Sequence, residues 1–251
     1  MVMDKSYWEK IAPSYDSEIF DVLHHDKRNI ISSVITKIAS KNKTVIDIGC
    51  AIGKWIPLLS PRFKKVFAID ISVKNLERAK SNNSSYKNVE YIRINMSNGK
   101  SKIPQCDFAI CINAILTADL QKRISFFSSM SKALKNGGHI ILTVPSLESS
   151  MLTSIISNQF NIDKNILHKK RSMAITSRQW NNIRQGNVEI DNIPTKHYLK
   201  EELQYLLKNE GFRIIKTEKI EYDWKTEFNN PPRWLNDPYP WDWMVLAQKI
   251  K

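Results

Sequence analysis

Two glycines and a carboxylate near the start of the chain have the types and spacing of a ligand-binding turn. Gly49 and Gly53 lie in one short turn that follows an apolar, β-branched run. The chain holds only seven glycines, so two in one turn indicate that something approaches the backbone there closely. Asp70 ends the next apolar run, about 20 residues after Gly49, where a carboxylate can accept hydrogen bonds from both hydroxyls of a ribose. The pattern predicts a nucleotide-like ligand.

Asp47, inside the first apolar run, limits the kind of nucleotide. A dinucleotide-binding turn has the pattern Gly-x-Gly-x-x-Gly, whose three glycines admit a pyrophosphate. Here the turn has two glycines, and the carboxylate of Asp47 would repel a phosphate. A cationic nucleoside without phosphates fits these residues better, and S-adenosylmethionine is such a molecule.

Five segments, in order along the chain, resemble the strand motifs of the class I S-adenosylmethionine-dependent methyltransferases. The first two are Val45–Gly53 and Val66–Asp70. The third, fourth and fifth are Val89–Asn95, Cys106–Asn113 and Leu134–Pro145. Each motif alone is weak evidence for the resemblance, whereas five motifs in the same order along the chain are strong evidence. In addition, Trp8–Asp16 resembles the N-terminal segment that covers the cofactor in the small-molecule branch of that family.

The resemblance implies S-adenosylmethionine as the cofactor and a set of residues that bind it. These are Trp8, Tyr15, Asp47, Gly49, Cys50, Ala51, Gly53, Asp70, Ile71, Asn95, Met96 and Asn113. Two depart from the family pattern, since Ala51 replaces the usual glycine in the middle of the loop and Asn95 replaces an aspartate that accepts a hydrogen bond from the adenine amino group. The methyl of Ala51 could point away from the ligand, and the amide oxygen of Asn95 could still accept that bond. The alternative for Asn95 is a residue that only forms a turn.

Alternating apolar runs and amphipathic segments predict the elements that must position these residues. Strands are expected near 44–49, 66–71, 89–95, 106–113, 138–144, 212–220 and 243–250, and helices near 53–60, 73–82, 120–135 and 198–210. This order is typical of a doubly wound, Rossmann-like α/β fold, a mostly parallel seven-stranded sheet with helices on both faces. By resemblance to the family, the last strand lies antiparallel beside the fifth.

The chain is expected to form a single methyltransferase domain over residues 1–251, with two additions. Residues 1–40 form a helical region ahead of the first strand and are interpreted as a movable lid over the cofactor. Residues 147–195 break the alternation after the fifth strand and are interpreted as a helical cap. Ligands of open α/β sheets lie outside the carboxyl ends of the strands, so this insert falls on the ligand side.

Specificity toward the methyl acceptor is expected in the insert and in the long segment 221–240. Four of the seven tryptophans lie in or just after that segment, which could form a pocket wall, form a dimer contact or pack on its own aromatics. The predicted substrate-binding residues are Tyr198, Tyr222, Trp224 and Trp241. His197 is the candidate general base because histidine titrates near neutral pH, and its alternative role is to bond the backbone at a helix entry. His24 and His25 could also reach the cleft if the lid folds over it.

The composition of the chain indicates which kinds of binding partner are compatible with it. Of the 251 residues, 42% are hydrophobic, and the net charge of +13 favours an acidic partner such as nucleic acid or an anionic lipid surface. The lysines are nevertheless spread along the chain, and the only tight basic cluster is His168–Arg171. The three cysteines, Cys50, Cys106 and Cys111, have neither disulfide parity nor metal-ligand spacing and are interpreted as reduced core residues. With no run of about eighteen apolar residues and no signal-peptide pattern, a cytoplasmic protein without a membrane partner is expected.

Three functions remain open on the sequence. The first is a methyltransferase, monomeric or homodimeric, that acts on a small-molecule substrate chiefly by positioning it. The second is a methyltransferase of nucleic acid, such as tRNA or rRNA, that uses the basic surface. The third is a cofactor-binding protein without catalysis. The acceptor atom, whether oxygen, nitrogen, sulfur or carbon, is not identified by any residue pattern.

Overall fold

Strands and helices alternate through most of the chain in the computed structural model, which describes residues 4–162, 173–190 and 193–250. The strands are β1 Thr44–Ile48, β2 Lys65–Asp70, β3 Val89–Arg93, β4 Cys106–Ile112, β5 Leu134–Pro145, β6 Asn187–Ile190, β7 Ile193–Lys196, β8 Phe212–Glu221 and β9 Trp241–Lys249. The α-helices are α1 Lys5–Ile11, α2 Tyr15–Glu18, α3 Val22–His25, α4 Ile30–Ile38, α5 Ile56–Leu59, α6 Val73–Asn82, α7 Leu120–Lys132, α8 Leu147–Phe160, α9 Met173–Arg184 and α10 Lys200–Asn209. None of these described helices is long and apolar enough to cross a membrane.

Seven of the strands form one sheet in the order β3-β2-β1-β4-β5-β9-β8. β3, β2, β1, β4 and β5 pair in parallel. β9 pairs antiparallel with both β5 and β8, so it alone runs against the other strands of the sheet. This arrangement confirms the predicted Rossmann-like fold, including the antiparallel last strand beside the fifth.

The central strands form because their side chains are buried on both faces of the sheet. In β1, Val45 packs into one core with Ile31 and Ile35 of α4. Ile46 and Ile48, which point to the other face, belong to a second core with Phe127 of α7. A continuous apolar, β-branched run is typical of a parallel strand that helices cover on both sides.

Capped helices begin at the carboxyl edge of the sheet and fix its loops. The side chains of Ser72, Asp119 and Ser146 each accept a hydrogen bond from a backbone N–H in the first turn of α6, α7 and α8, respectively. Such a cap contributes about 1 kcal/mol to helix stability. The loops that follow β2, β4 and β5 therefore have defined conformations at the edge where a ligand is expected.

The prediction that residues 147–195 are helical is wrong for the end of that insert. α8 and α9 are helices, but β6 and β7 form an antiparallel hairpin. Gly186, with a φ of +70°, follows α9, and the β-branched residues Val188, Ile190 and Ile193 favour strands over helix. The basic cluster His168–Arg171 lies outside the described residues.

Candidate active site

The turn after β1 is held by backbone hydrogen bonds to the end of β2. The N–H groups of Gly49 and Cys50 both donate to the carbonyl of Ile69, at 2.9 Å each. The N–H of Ala51 donates to Asp70 Oδ2 at 3.0 Å. Gly49, Ala51 and Gly53 have φ of +72°, +47° and +82°, in the left-handed region. Glycine adopts that conformation without cost, whereas an alanine there is strained.

Packing inside the protein already restricts the two positions occupied by glycine in this turn. A Cβ on Gly53 would lie 2.6 Å from Asn83 Nδ2 and 2.8 Å from Ile56 Cδ1. A Cβ on Gly49 would collide with the Cβ of Ala114. Groups of the chain itself therefore approach these glycines closely, and the approach of a ligand to the turn stays a prediction.

Asp70 and Asp47 place two carboxyl groups at this edge of the sheet. Asp70 Oδ1 accepts the N–H of Ser72 at 2.8 Å, and Oδ2 accepts the N–H of Ala51. Burial raises the pKa of Asp70, and these backbone N–H groups oppose the rise. Asp47 is buried, and its Oδ2 has no hydrogen-bond partner among the described residues. Burial, assisted by the charge of Asp70, raises the pKa of Asp47 to about 8.

A cleft of about 800 Å³, its open mouth included, lies beside these carboxyl groups. Nine predicted cofactor-binding residues line it, namely Trp8, Tyr15, Gly49, Ala51, Asp70, Ile71, Asn95, Met96 and Asn113. Asp47, Cys50 and Gly53 are not among the described lining residues, and burial raises the pKa of the Cys50 thiol. Asn95 also caps the 3₁₀ turn that follows it, since its Oδ1 accepts the N–H of Ser97 at 3.0 Å.

The lining carries no positive charge in the part of the chain that the structure describes. Among the described lining residues, Tyr15 and Asp70 are the titratable ones, and none is Lys, Arg or His. Burial, with the charge of Asp70, raises the pKa of Tyr15. In a protein with a net charge of +13, the described lining of this cleft is therefore uncharged apart from the carboxyl group of Asp70.

The N-terminal region covers one side of the cleft and is attached to the sheet by polar contacts. The carboxylate of Glu9 accepts the N–H groups of Val73 and Lys74 at the start of α6, at 2.8 and 3.3 Å. Arg78 donates to the carbonyl of Ala12 and pairs with Asp16 at 2.9 Å. These contacts hold Trp8 and Tyr15 against the cleft.

The five residues predicted for substrate binding and catalysis lie outside the described cleft lining. Tyr198 is fully buried, and its hydroxyl donates to the carbonyl of Ile115 at 3.0 Å. Trp224 is buried in a cluster with Phe228 and donates from Nε1 to the carbonyl of Asn236 at 2.7 Å. Their aromatic rings fill cores in this structure.

Trp241, Tyr222 and His197 are also buried. The ring of Trp241 lies 3.6 Å from Lys219 Nζ, and the hydroxyl of Tyr222 donates to Asp242 Oδ2 at 2.9 Å. His197 Nδ1 lies 3.0 Å from the carbonyl of Thr195, and burial lowers its pKa. The backbone hydrogen bond matches the helix-entry role considered for His197, and its role as a base stays a prediction.

Sequence reasoning missed several residues near the site. Asn75, Thr117 and Phe126 line the cleft, and Asp242 supports it from β9 through a 2.7 Å hydrogen bond from Asn113 Nδ2. Asp242 could have been noticed because it is the one charged residue in the otherwise apolar run Trp241–Ala247. A carboxylate in a buried strand requires a hydrogen-bond partner, and its presence predicts a buried polar network.

Comparison with known proteins places this geometry in a class. Residues 45–138 match the protein family described as "Methyltransferase domain". No curated protein matches the sequence significantly. Similar solved structures include the N-methyltransferase NodS from Bradyrhizobium japonicum WM9 in complex with S-adenosyl-L-homocysteine, with 13% identity, coverage of 98% of this chain and 98% of that chain, and a TM-score of 0.62.

Two further structures share the fold. Magnesium protoporphyrin IX methyltransferase (ChlM) from Synechocystis PCC 6803, with bound S-adenosylhomocysteine, is 13% identical over 98% of this chain and 97% of that chain, with a TM-score of 0.62. A SAM-dependent methyltransferase from Methanosarcina mazei is 18% identical over 86% of this chain and 97% of that chain, with a TM-score of 0.59.

The sheet order and the turn after β1 define a Rossmann-like methyltransferase fold. With the family match, they confirm the prediction from sequence. Residues 45–138 carry a methyltransferase domain on this fold, which supports the predicted class I S-adenosylmethionine-dependent methyltransferase with S-adenosylmethionine as its cofactor.

Proposed function

We propose that the protein transfers the methyl group of S-adenosylmethionine to a small, neutral or cationic molecule, with an amine as the acceptor group. The observation that carries this proposal is the cleft itself, whose described lining includes Asp70 but no Lys, Arg or His. A phosphate or carboxylate inside this cleft would find no positively charged partner among its described lining residues, whereas Lys5 and Lys122 line an adjoining pocket that shares Ile71, Asn95, Ser97 and Thr117 with it. The N-methyltransferase activity named for the structural neighbour NodS is consistent with an amine.

The residues of the β1–β2 edge fit a cationic nucleoside. Each oxygen of Asp70 accepts one backbone N–H, and a carboxylate has about four acceptor sites, so it can still receive ribose hydroxyls. The Oδ2 of Asp47, which has no hydrogen-bond partner among the described residues, is a buried acceptor on the same edge. Trp8 and Tyr15 would cover the cofactor, and Asn95 and Met96 would contact the adenine. These roles are proposals for the residues that line or support the cleft.

An amine is the acceptor group that the described lining can serve without a general base. The bound cofactor supplies a methyl group on a good leaving group. A neutral amine attacks through its lone pair and loses its N–H proton to water afterwards, whereas a hydroxyl must lose its proton near the transition state. Of the two titratable lining residues, Asp70 is engaged by backbone N–H groups and the pKa of Tyr15 is raised. Positioning by the cleft walls can supply on the order of 7–11 kcal/mol.

The proposal is tested with cofactor that carries a labelled methyl group. Purified protein is incubated with a metabolite extract separated by charge into cationic, neutral and anionic pools. We expect label in a small molecule of the cationic or neutral pool, and an Asp70→Asn variant should give much less at a limiting cofactor concentration. Label confined to the anionic pool would contradict the proposal.

Nucleic acid is the second candidate substrate because the net charge is +13. Adding total RNA and DNA to the same labelling reaction tests it. Methyl groups in RNA, with labelling that falls steeply as salt rises and that is lost when Lys169, Lys170 and Arg171 are neutralised, would establish the second candidate and overturn the first.

A further inference from the structure

Asn113, directly after β4, lines the cleft with a fixed side-chain amide. Its Nδ2 donates to Asp242 Oδ2 at 2.7 Å. Its backbone N–H donates to the carbonyl of Thr143 at 2.9 Å, and its φ is +47°. Because a carboxylate only accepts hydrogen bonds, Asp242 determines which end of the amide faces β9. The orientation of the Asn113 amide is therefore set by a residue more than a hundred positions away in the chain.

Asp242 is itself held by Tyr222. The carboxyl group is buried on β9, and its Oδ2 also accepts the hydroxyl of Tyr222 at 2.9 Å. Burial raises the pKa of Asp242, and the hydrogen bonds from Asn113 and Tyr222 oppose this rise. The ring of Tyr222 contacts Phe20 of the N-terminal region edge to face, with 4.6 Å between the ring centres. The three polar groups form a continuous network from the cleft to the region that covers it.

The other end of the amide, Asn113 Oδ1, is buried and has no hydrogen-bond partner among the described residues. A buried acceptor without a donor is costly, and in native proteins such a group calls for a functional explanation. Asp242 occupies the Nδ2 side and Asn113 lines the cleft, so a ligand bound in the cleft can supply the donor for Oδ1. The same cleft has no Lys, Arg or His among its described lining residues to supply one.

We infer that Asp242 and Tyr222 are positioning residues, which hold Asn113 so that its Oδ1 accepts an N–H from the amine that receives the methyl group. This inference rests on the proposed function. The hydrogen bond orients the nitrogen lone pair toward the methyl carbon. The nitrogen–carbon bond then forms as the carbon–sulfur bond breaks with its electron pair on sulfur, and the excess proton on nitrogen passes to water.

The kinetic test compares Asp242→Asn with the wild type, using the amine found by the labelling screen. An asparagine at 242 keeps the volume but can donate as well as accept, so the Asn113 amide is no longer held in one orientation. We expect kcat/KM for the amine to fall about 10–100-fold, with the KM of the amine raised, while the affinity for S-adenosylhomocysteine stays within about twofold. The exposed Asp237 provides the matched control, Asp237→Asn, which should leave both unchanged.

Several outcomes would overturn the inference. If the affinity for S-adenosylhomocysteine falls and the KM of the amine does not change, Asn113 serves the cofactor. If neither changes in a folded Asp242→Asn protein, the network is only structural. If the wild type methylates no amine, the proposed function and the amine assignment fail together. If the wild type is active and Asp242→Asn is unaffected, only the positioning role fails. Tyr222→Phe, which keeps the ring against Phe20, replaces Asp242→Asn should that variant not fold, with an expected loss of about 3–10-fold.

A second measurement needs no acceptor. In the nitrogen-15 spectrum of the protein, the two side-chain amide protons of Asn113 should be well separated, because one is bound to a carboxylate. Asp242→Asn should bring them together, and an Asn113→Ala variant assigns the pair. A pair that is already averaged in the wild type would show that the amide is not held and would overturn the inference.

Discussion

The two walls of the cleft hold their polar groups by different means. On the β1–β2 wall, Asp70 is fixed by backbone N–H groups of Ala51 and Ser72, which are close to it in sequence or in the adjacent turn. On the β4–β9 wall, Asn113 is fixed by the side chains of Asp242 and, through it, Tyr222. Backbone donors persist when side chains change, whereas the second wall depends on three particular side chains.

This difference separates the part of the site that is general from the part that can be specific. A cofactor wall built on backbone groups can serve any acceptor, because it only has to bind the same molecule in the same place. A wall built from side chains of distant strands can change with the acceptor without disturbing the cofactor. We therefore expect variants of the first wall to act mainly on cofactor affinity and stability, and variants of the second to act on turnover.

The largest expected effect concerns the buried carboxyl of Asp47. Its pKa in the folded protein is about 8, well above the ordinary value of 3.8. An acid whose pKa is raised by folding does not lower the free energy of unfolding below about pH 4. It lowers that free energy progressively as the pH rises, and the loss is complete above about pH 8. Four pKa units correspond to about 5 kcal/mol at most. The stability of Asp47→Asn relative to the wild type should therefore increase between pH 5 and pH 9, as measured by urea unfolding.

A carboxyl group whose pKa is lowered in the folded protein provides the control for that experiment. Asp107 accepts hydrogen bonds from the N–H of Thr44 and from Lys135, each at 2.8 Å, and these donors lower its pKa against the effect of burial. Its stabilising contribution is present above about pH 4 and is lost as the pH falls further. Asp107→Asn should therefore be less stable than the wild type at neutral pH and approach it in acid. Parallel pH profiles for both variants would contradict the assignment of Asp47.

The second effect is the loss of cofactor affinity in Asp70→Asn. An asparagine has one acceptor oxygen, so it cannot receive the N–H groups of Ala51 and Ser72 and the ribose hydroxyls together. We expect calorimetry with S-adenosylhomocysteine to show a loss of roughly 1.5–3 kcal/mol. Glu90→Gln, which changes an exposed carboxylate on β3, should bind normally. Equal affinities of Asp70→Asn and the wild type would remove Asp70 from the cofactor site.

The same contrast between local and distant contacts explains what could be predicted from the sequence. The turn after β1, the carboxylate of Asp70 and the alternation of strands and helices follow from neighbouring residues and from regular spacing, and the turn and the sheet are seen in the structure. Asp242 reaches Asn113 only because β9 returns beside β5, and no local pattern contains that pairing. The position of Tyr198 after the insert predicts a substrate-binding role, but the residue is fully buried in the core. From the sequence alone, a buried tyrosine cannot be distinguished from a tyrosine that lines a pocket.

That burial changes how the acceptor side should be tested. Replacing Tyr198 by Ala would remove a buried ring and cost about 3–5 kcal/mol of stability, so loss of methylation would not identify a contact with the substrate. Asp242→Asn and Tyr222→Phe change hydrogen bonding while keeping volume. Variants of that kind keep the comparison between the two walls free of large packing effects.

The third effect concerns the attachment of the N-terminal region. Arg78 is about one-third exposed and holds Ala12 and Asp16. Replacement by Met should cost about 1 kcal/mol or less, since partly exposed ion pairs are weak. We expect hydrogen exchange of residues 4–25 to slow when S-adenosylhomocysteine is added to the wild type, and to be faster in Arg78→Met without ligand. Protection elsewhere with no change in residues 4–25 would show that this region is structural and not a lid.

The smallest effect compares one left-handed residue from each wall. Ala51 and Asn113 both have a φ of +47°. Replacing Ala51 by glycine removes a backbone strain of about 1–2 kcal/mol. It also increases the conformational entropy of the unfolded chain, which costs about 0.4–1 kcal/mol of stability. Ala51→Gly should therefore stabilise the protein by about 0.5–1 kcal/mol, with unchanged affinity for S-adenosylhomocysteine. Asparagine tolerates this conformation better, and Asn113→Gly also removes the hydrogen bond to Asp242. Leaving a buried carboxylate with one donor fewer should make Asn113→Gly destabilising. Stabilisation by both glycines in urea unfolding would show that the β4–β9 network contributes nothing to the fold, and the difference between the walls would then reduce to backbone strain alone.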